Sequence, residues 1–356
     1  MRYLGNKDSI TSTIKEIVSS KVQMNPDTTL FDALCGTGSV ANVFKTTCNV
    51  IINDSLNCAT TYAYGRMVAA SCTFNALGFD PFEFFNSNKN VLRGYFYTNY
   101  SPGGSDRMYL SEYNAGRVDY FRQTIEDWHV HDQINREEYT YLLACLIESV
   151  SFVSNTAGVY GAFLKKWDDR ALRTIQFINL SDGIVPTHTI EVHTNKLEQI
   201  IENIQCDILY LDPPYTQNQY GTQYHLLETL ILDDRPEKIS KVTGSRSTRE
   251  MRSDWSKIYK VHILLDRILA KTSARHIFLS YNNAGDMSRE YIETLMKRYG
   301  YETTFERIEI PYKKYENWKS QNKKDHYEYL FYIEKKPTEE IMFESPLNYT
   351  GSKAKV

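Results

Sequence analysis

The sequence holds 356 residues with a net charge of -3 and a hydrophobic share of 42%, which fits one large domain carrying an insertion, or two domains, with enough apolar mass for a substantial core. The near-neutral balance excludes a globally basic nucleic-acid binder, so any nucleic-acid contact must come from local patches. Six scattered cysteines without a CxxC pair argue against a zinc site or a disulfide framework and fit a reducing cytosol.

No signal peptide precedes the first strand and no apolar run reaches membrane-spanning length, so a soluble, intracellular protein without a membrane partner is expected. The eight histidines show no metal-ligand pattern. His129 and His131 read as surface residues, and no metal site is expected.

In chain order, residues 1–7, MRYLGNK, place a Gly5-Asn6 turn before a cation at Lys7. Ser9 is expected to cap a helix running to about Ser20, with Ile10, Ile14, Ile17 and Val18 on one face. Residues 29–45, TLFDALCGTGSVANVFK, read as strand, glycine turn and helix. Leu30 and Phe31 close the strand, Gly36-x-Gly38 makes the turn, and backbone N–H groups then face a ligand at the helix start. Alone this turn is a weak signal, since such turns also serve strand-to-helix packing. A second strand, Val50-Ile51-Ile52, leads to Asp54, about 20 residues beyond the turn, where nucleotide-binding folds place an acid on ribose hydroxyls. An ordinary α/β unit without ligand stays open as the alternative. No phosphate-gripping lysine follows the turn, and GxGxxG is incomplete. A cofactor with a ribose but no phosphate, such as S-adenosylmethionine, fits best.

From about Leu56 to Thr187 the sheet pattern lapses. Residues 59–85 look helical, 86–118 polar and turn-rich, and about 137–152 helical again. Residues 154–167, SNTAGVYGAFLKKW, read as a hairpin or loop able to enter a groove, or equally as a solvated turn. The sheet resumes at Thr189–His193, followed by a helix at about 196–204. Residues 235–260, with Arg246, Arg249 and Arg252 among other basic residues, read as a mobile loop touching phosphates or as a solvated charged face. A strand at 276–281, a helix at 288–299 and two antiparallel strands at about 302–311 and 326–334 follow. Basic and aromatic residues from Lys313 to Lys324 lie between those last two strands.

Ile208-Leu209-Tyr210-Leu211 is an apolar run of the kind that fills a buried parallel strand, and it stops at Asp212-Pro213-Pro214-Tyr215. Two prolines supply no N–H and end both ladder and helix. What remains is a cluster of acceptors at the strand's C-terminal edge, where α/β sheets bind ligands. Acceptors there suit a conjugated amine: Asp212 and the Pro213 carbonyl could take both N–H bonds of an adenine amine, and Tyr215 could stack on an extruded base. A Pro-Pro turn with Asp212 as a cap would look the same.

These pieces together resemble the Dam-like, D12 class of adenine-specific DNA N6-methyltransferases. Within that class they look most like the FokI-type modification methylases that accompany type IIS restriction enzymes. The resemblance covers nearly the whole chain, through Tyr3, Gly5 and Lys7, the Phe31 to Gly38 loop, Asp54 and the complete Asp212–Tyr215 motif. Leu34 and Cys35 depart from the family's loop. The resemblance implies an α/β fold: a Rossmann-like, S-adenosylmethionine-dependent methyltransferase sheet with an inserted, mainly helical DNA-recognition region. The domain expectation is a catalytic domain of residues 1–55 and 188–335, an insertion at 56–187, and a linker at 336–356.

It further implies catalytic roles for Asp212, Pro213, Pro214 and Tyr215. Cofactor contacts are expected from Tyr3, Lys7, Phe31, Asp32, Gly36, Gly38 and Asp54, and DNA contacts from Asn155, Tyr160, Lys165, Lys166, Arg246, Arg249 and Arg252. The expected function is site-specific adenine N6 methylation of double-stranded DNA with base flipping, in the cytoplasm of a bacterium or phage host and beside a cognate restriction endonuclease. RNA base methylation, cytosine N4 methylation and a catalytically silent DNA-reading subunit are the alternatives. Residues Asn348 to Lys353 repeat the pattern of Arg2 to Lys7, so a second methyltransferase domain in a longer tandem chain is also expected.

Overall fold

Side chains alternate across a strand, and here both sides meet protein. Leu30, Ile208 and Phe278 point into one apolar cluster, while Phe31, Leu209, Ile277 and Leu279 point into another on the opposite face. Such two-sided burial is what short parallel strands require. The computed structural model describes residues 1–282, 285–311, 327–337 and 340–341. Its strands are β1 (Thr29–Asp32), β2 (Asn49–Asp54), β3 (Ile190–Thr194), β4 (Ile208–Leu211), β5 (His276–Asn282), β6 (Glu306–Pro311) and β7 (Tyr327–Glu334). They form one sheet in the order β3-β2-β1-β4-β5-β7-β6. β1 to β5 run parallel, and β7 pairs antiparallel with both β5 and β6. The order reverses between β1 and β4, so their C-terminal ends frame the crevice where such sheets take ligands.

The helices are α1 (Thr11–Lys21), α2 (Ser39–Phe44), α3 (Asn57–Val68), α4 (Pro81–Ser87), α5 (Tyr95–Tyr100), α6 (Glu112–Val130), α7 (Arg136–Val153), α8 (Leu197–Ile200), α9 (Tyr220–Gln223), α10 (His225–Leu232), α11 (Ile258–Lys271) and α12 (Arg289–Tyr299). α8, α11 and α12 cover one face of the sheet; α1 and α2 cover the other. Among the described residues no strand lies between β2 and β3. α3 leaves β2 and packs along α7 so closely that a Cβ at Gly65 would come within 2.5 Å of the Ala144 Cβ. The buried Glu228 of α10 accepts N–H groups of Asn57 and Cys58 at the start of α3, which caps that helix and satisfies its positive end.

Several elements depart from the sequence reading. Ser9 does not cap α1; Ile10 holds that position without a side-chain bond, because a turn from Lys7 carbonyl to Ile10 N–H (2.8 Å) buries Ile10 first. Residues 86–118 are not merely turn-rich, for they contain α5 and the start of α6. α6 escapes apolar periodicity because its buried face carries Arg117, Asp119 and Arg122. Asp119 accepts the N–H groups of Gly94, Phe96 and Tyr97 at the start of α5. The stretch 59–85, expected to be helical, is helical in α3 and at the start of α4 but not throughout, and α8 is shorter than the expected 196–204. The basic segment from Lys313 to Lys324 and residues 348–353 lie outside the described residues. No helix among the described residues is long and apolar enough to cross a membrane.

Candidate functional site

The crevice at the β1/β4 edge is a cleft lined from four directions: the N-terminal segment, the turn after β1, the end of β2 and the residues after β4. The turn is shaped by hydrogen bonds from Ala33 N–H to the Tyr210 carbonyl (3.1 Å), Cys35 N–H to the Asn53 carbonyl (2.8 Å) and Gly38 N–H to the Cys35 carbonyl (2.7 Å). Gly36 has φ +52°, and a Cβ there would lie 2.8 Å from the Tyr3 ring. Tyr3 in turn stacks on Tyr224 at 4.6 Å between ring centroids. Only glycine combines this backbone with that approach.

Asp54 closes β2 and accepts Gly36 N–H (3.1 Å) on one oxygen and Leu56 N–H (3.0 Å) on the other. Burial pushes its carboxyl up to about 6 despite those bonds. Asp32 accepts Ala41 N–H (3.2 Å) on Oδ2. Its Oδ1 is buried with no hydrogen-bond partner. Burial, and then the nearby Asp212 charge, raise this carboxyl to about 8. An orphaned acceptor is costly unless a ligand supplies the missing donor.

Tyr3, Lys7, Asp32, Gly36 and Asp54 therefore share one cleft, and two other expected cofactor residues do not. Phe31 is fully buried in the sheet core beside Leu209, because strand alternation turns it away from the cleft. Gly38, at φ +67°, serves packing: a Cβ there would lie 2.7 Å from the Ala63 Cβ of α3.

On the β4 side, Lys7 Nζ contacts Asp212 Oδ2 at 3.0 Å and Glu328 Oε1 at 3.1 Å. The Tyr215 hydroxyl lies in hydrogen-bonding contact with both Asp212 and Glu328. A phenol carries one proton, so it cannot satisfy two carboxylates together, and the cluster favours an extra proton. Accordingly, burial and the Glu328 charge lift Asp212 to about 6 against the opposing pull of Lys7. The Tyr215 ring lies half-buried, edge-on to Tyr281 at 5.0 Å.

Sequence reasoning missed Glu328. Its signal is a glutamate set among aromatic and apolar residues, ahead of the strand's closing Glu334, in YEYLFYIE, a residue type seldom buried unless paired.

The expected DNA contacts divide. Asn155 and Tyr160 are buried and correct the reading of an exposed recognition loop. Asn155 donates to the Leu164 carbonyl (2.9 Å) and accepts Asp168 N–H (3.0 Å); the Tyr160 hydroxyl donates to Ser151 (3.1 Å). They shape the loop on which exposed Lys165 and Lys166 sit. Arg246 forms a two-pronged pair with Asp234, while Arg249 and Arg252 are exposed. Their loop is hydrogen-bonded to the helical region. Arg107 donates to the Ser240 carbonyl (3.0 Å), and Tyr100 to the Gly244 carbonyl (3.0 Å).

The family described as D12 class N6 adenine-specific DNA methyltransferase matches residues 3–297. The chain is 35% identical to the type II methyltransferase M.FokI of Planomicrobium okeanokoites, with all of this chain and 58% of that protein covered. The modification methylase StsI of Streptococcus sanguinis is 32% identical at the same coverage. The type II methyltransferase M.NlaIII of Neisseria lactamica is 31% identical over 94% of this chain and 99% of its own length. The chain thus spans little more than half the length of the first two relatives.

Proposed function

Because the chain belongs to the D12 class N6 adenine-specific DNA methyltransferase family, we propose that it methylates the N6 amine of a specific adenine in duplex DNA, using S-adenosylmethionine, as the modifying activity of a restriction-modification system. The observation that carries this reading is that Asp32 and Asp212 line one cleft from the ends of neighbouring parallel strands. A methyl donor and an acceptor amine held by those two carboxylates are brought together, and alignment is the main requirement for this transfer.

S-adenosylmethionine would supply an electrophilic sulfonium methyl group. The residues fit it. The unpartnered Asp32 Oδ1 suits an α-ammonium, Asp54 suits ribose hydroxyls, and Gly36 leaves its stretch of wall free of a side chain. Lys7 lies in the same cleft, beside Asp212 after β4 and Glu328 of β7.

An adenine amine is a poor nucleophile because its lone pair is delocalised into the ring. Asp212 and the Pro213 carbonyl would accept its two N–H bonds, favour a pyramidal nitrogen and so free the lone pair. Once ionised, Asp212 can also take up the proton that the amine must lose. Tyr215 would stack on the flipped base. Lys165, Lys166, Arg249 and Arg252 would contact phosphates, and Arg246 would brace the loop through Asp234.

The proposal extends to a second methyltransferase unit in the natural protein and to a cognate endonuclease. The share of M.FokI outside the match supports the second unit, and the match to nearly all of M.NlaIII supports a working unit of about this size. The mass of the native polypeptide tests the former.

The deciding experiment for function offers labelled S-adenosylmethionine with unmethylated duplex DNA and, separately, structured RNA, followed by nucleoside analysis. N6-methyladenine in DNA is expected. Label in RNA, or on cytosine or guanine, would overturn the substrate.

A further inference from the structure

We propose that Glu328 is a positioning residue for methyl transfer: it receives the Lys7 ammonium and the Tyr215 hydroxyl when Asp212 turns to the substrate amine. The inference rests on the methyl-transfer reading above. In the structure both Asp212 oxygens are engaged, with Lys7 against each (3.1 and 3.0 Å) and Tyr215 against Oδ1. A carboxylate so occupied has little capacity left for an amine, so its donors need another acceptor.

Glu328 is that acceptor. Its Oε1 already lies 3.1 Å from Lys7 and in contact with Tyr215, and it is held still by the Ser280 hydroxyl at 2.6 Å. β7 sets its place, pairing Glu328 with Asn282 at the end of β5.

Exposure assigns the two carboxylates different roles. The Asp212 side chain is 17% exposed and that of Glu328 only 3%, so substrate can reach the first and not the second. A buried carboxylate costs several kcal/mol unless paired and hydrogen-bonded, which here ties Glu328 to Lys7 and Ser280. The other titratable groups facing the cluster include Asp32 at the end of β1, Tyr210 on β4 and Tyr220 of α9. In the cofactor-free protein burial holds Asp32 protonated to about 8 and raises both tyrosines above their usual range.

The test compares wild type with Glu328→Gln, which keeps the shape and the acceptor oxygen but removes the charge. Three readouts are needed: the pH profile of single-turnover methyl transfer, calorimetric affinity for S-adenosylmethionine, and carboxyl ¹³C NMR titration of the cofactor-free protein. The plateau rate should fall about ten- to a hundredfold, as misplacement of reacting groups does, with cofactor affinity within about threefold. The Asp212 midpoint, in both the rate profile and the titration, should move to lower pH, because a neighbouring negative charge has been removed. Loss of the charge alone would move that midpoint and leave the plateau at its wild-type value, so the fall in the plateau is what reports positioning. An unmoved midpoint or a wild-type plateau overturns the proposal, whereas a wild-type protein that transfers no methyl group overturns the underlying reading instead. Should Glu328→Gln fail to fold, Ser280→Ala, which keeps every charge but frees the Glu328 carboxylate, must itself lower the plateau at least about threefold. A wild-type rate in Ser280→Ala then counts against the proposal.

Discussion

Lys7 and Asp212 are 205 residues apart in sequence and joined by a 3.0 Å ion pair. The residues before α1 therefore complete the site at the end of β4, and the catalytic edge is whole only when that segment is docked. Replacing Lys7 by Met would leave the half-buried Asp212 and the buried Glu328 without their cation. Breaking such a pair costs about 3–5 kcal/mol, so the melting temperature should drop markedly. The acid limb of turnover should also move to higher pH, because the charge that favours ionised Asp212 is gone. Chemical denaturation and a pH-rate profile check the two halves, and an unshifted limb would deny Lys7 its electrostatic role.

For the wild-type protein, turnover should fall as pH drops through about 6. Asp212 is a strong acceptor, able to take up the amine's proton, only as a carboxylate, and burial has raised its ionisation to about 6. Below that value it is protonated and competes as a donor. A rate that holds steady down to pH 4 would exclude Asp212 as the acceptor.

Cofactor binding at pH 7 should release protons. Asp32 is protonated below about 8 in the free protein, and an α-ammonium placed against its Oδ1 favours the charged form, so binding lowers its pKa and expels up to one proton. Calorimetry in two buffers of different ionisation enthalpy measures this. Asp32→Asn should bind about tenfold more weakly, the loss of one charged hydrogen bond, and release correspondingly fewer protons. Equal release from both proteins would remove Asp32 from the cofactor site.

Asp212→Ala and Asp54→Ala should fail differently. The first should lose turnover by at least about a hundred- to a thousandfold, as removal of a transition-state hydrogen bond does, with cofactor affinity nearly unchanged. The second should weaken cofactor affinity by about tenfold and slow saturated turnover less. Equilibrium binding beside single-turnover rates separates them, and the reverse pattern would exchange the two assignments.

Gly36→Ala should weaken both fold and site. Its φ of +52° strains any residue with a Cβ, and that Cβ would lie 2.8 Å from the Tyr3 ring. A loss of about 1–2 kcal/mol is expected from the backbone alone. Displacement of Tyr3 from its stack on Tyr224 should also reduce cofactor affinity. Thermal melting and calorimetry report the two effects, and an unchanged melting temperature would mean that the turn is looser than its geometry indicates.

The sequence by itself determined what local chemistry dictates. Apolar runs bounded by Gly36, Gly38 and the Pro213-Pro214 pair marked β1, β2 and β4 and the edge on which they end, since positive φ and missing N–H groups act within a few residues. Tertiary structure decided what depends on partners far along the chain. A strand buried on both faces has no polar side to orient it, so the sequence could not tell that Asp32 reaches the cleft while Phe31 turns into the core. Nor could it tell that Asn155 and Tyr160 are walled in by residues 151–168 and α10, or that α6 buries charges against α5 and α10. Glu328 looked like any strand acid until β7 paired with β5 and set it beside Lys7. Burial and ion pairing are properties of neighbours, and folding alone brings residues 7, 212, 280 and 328 together.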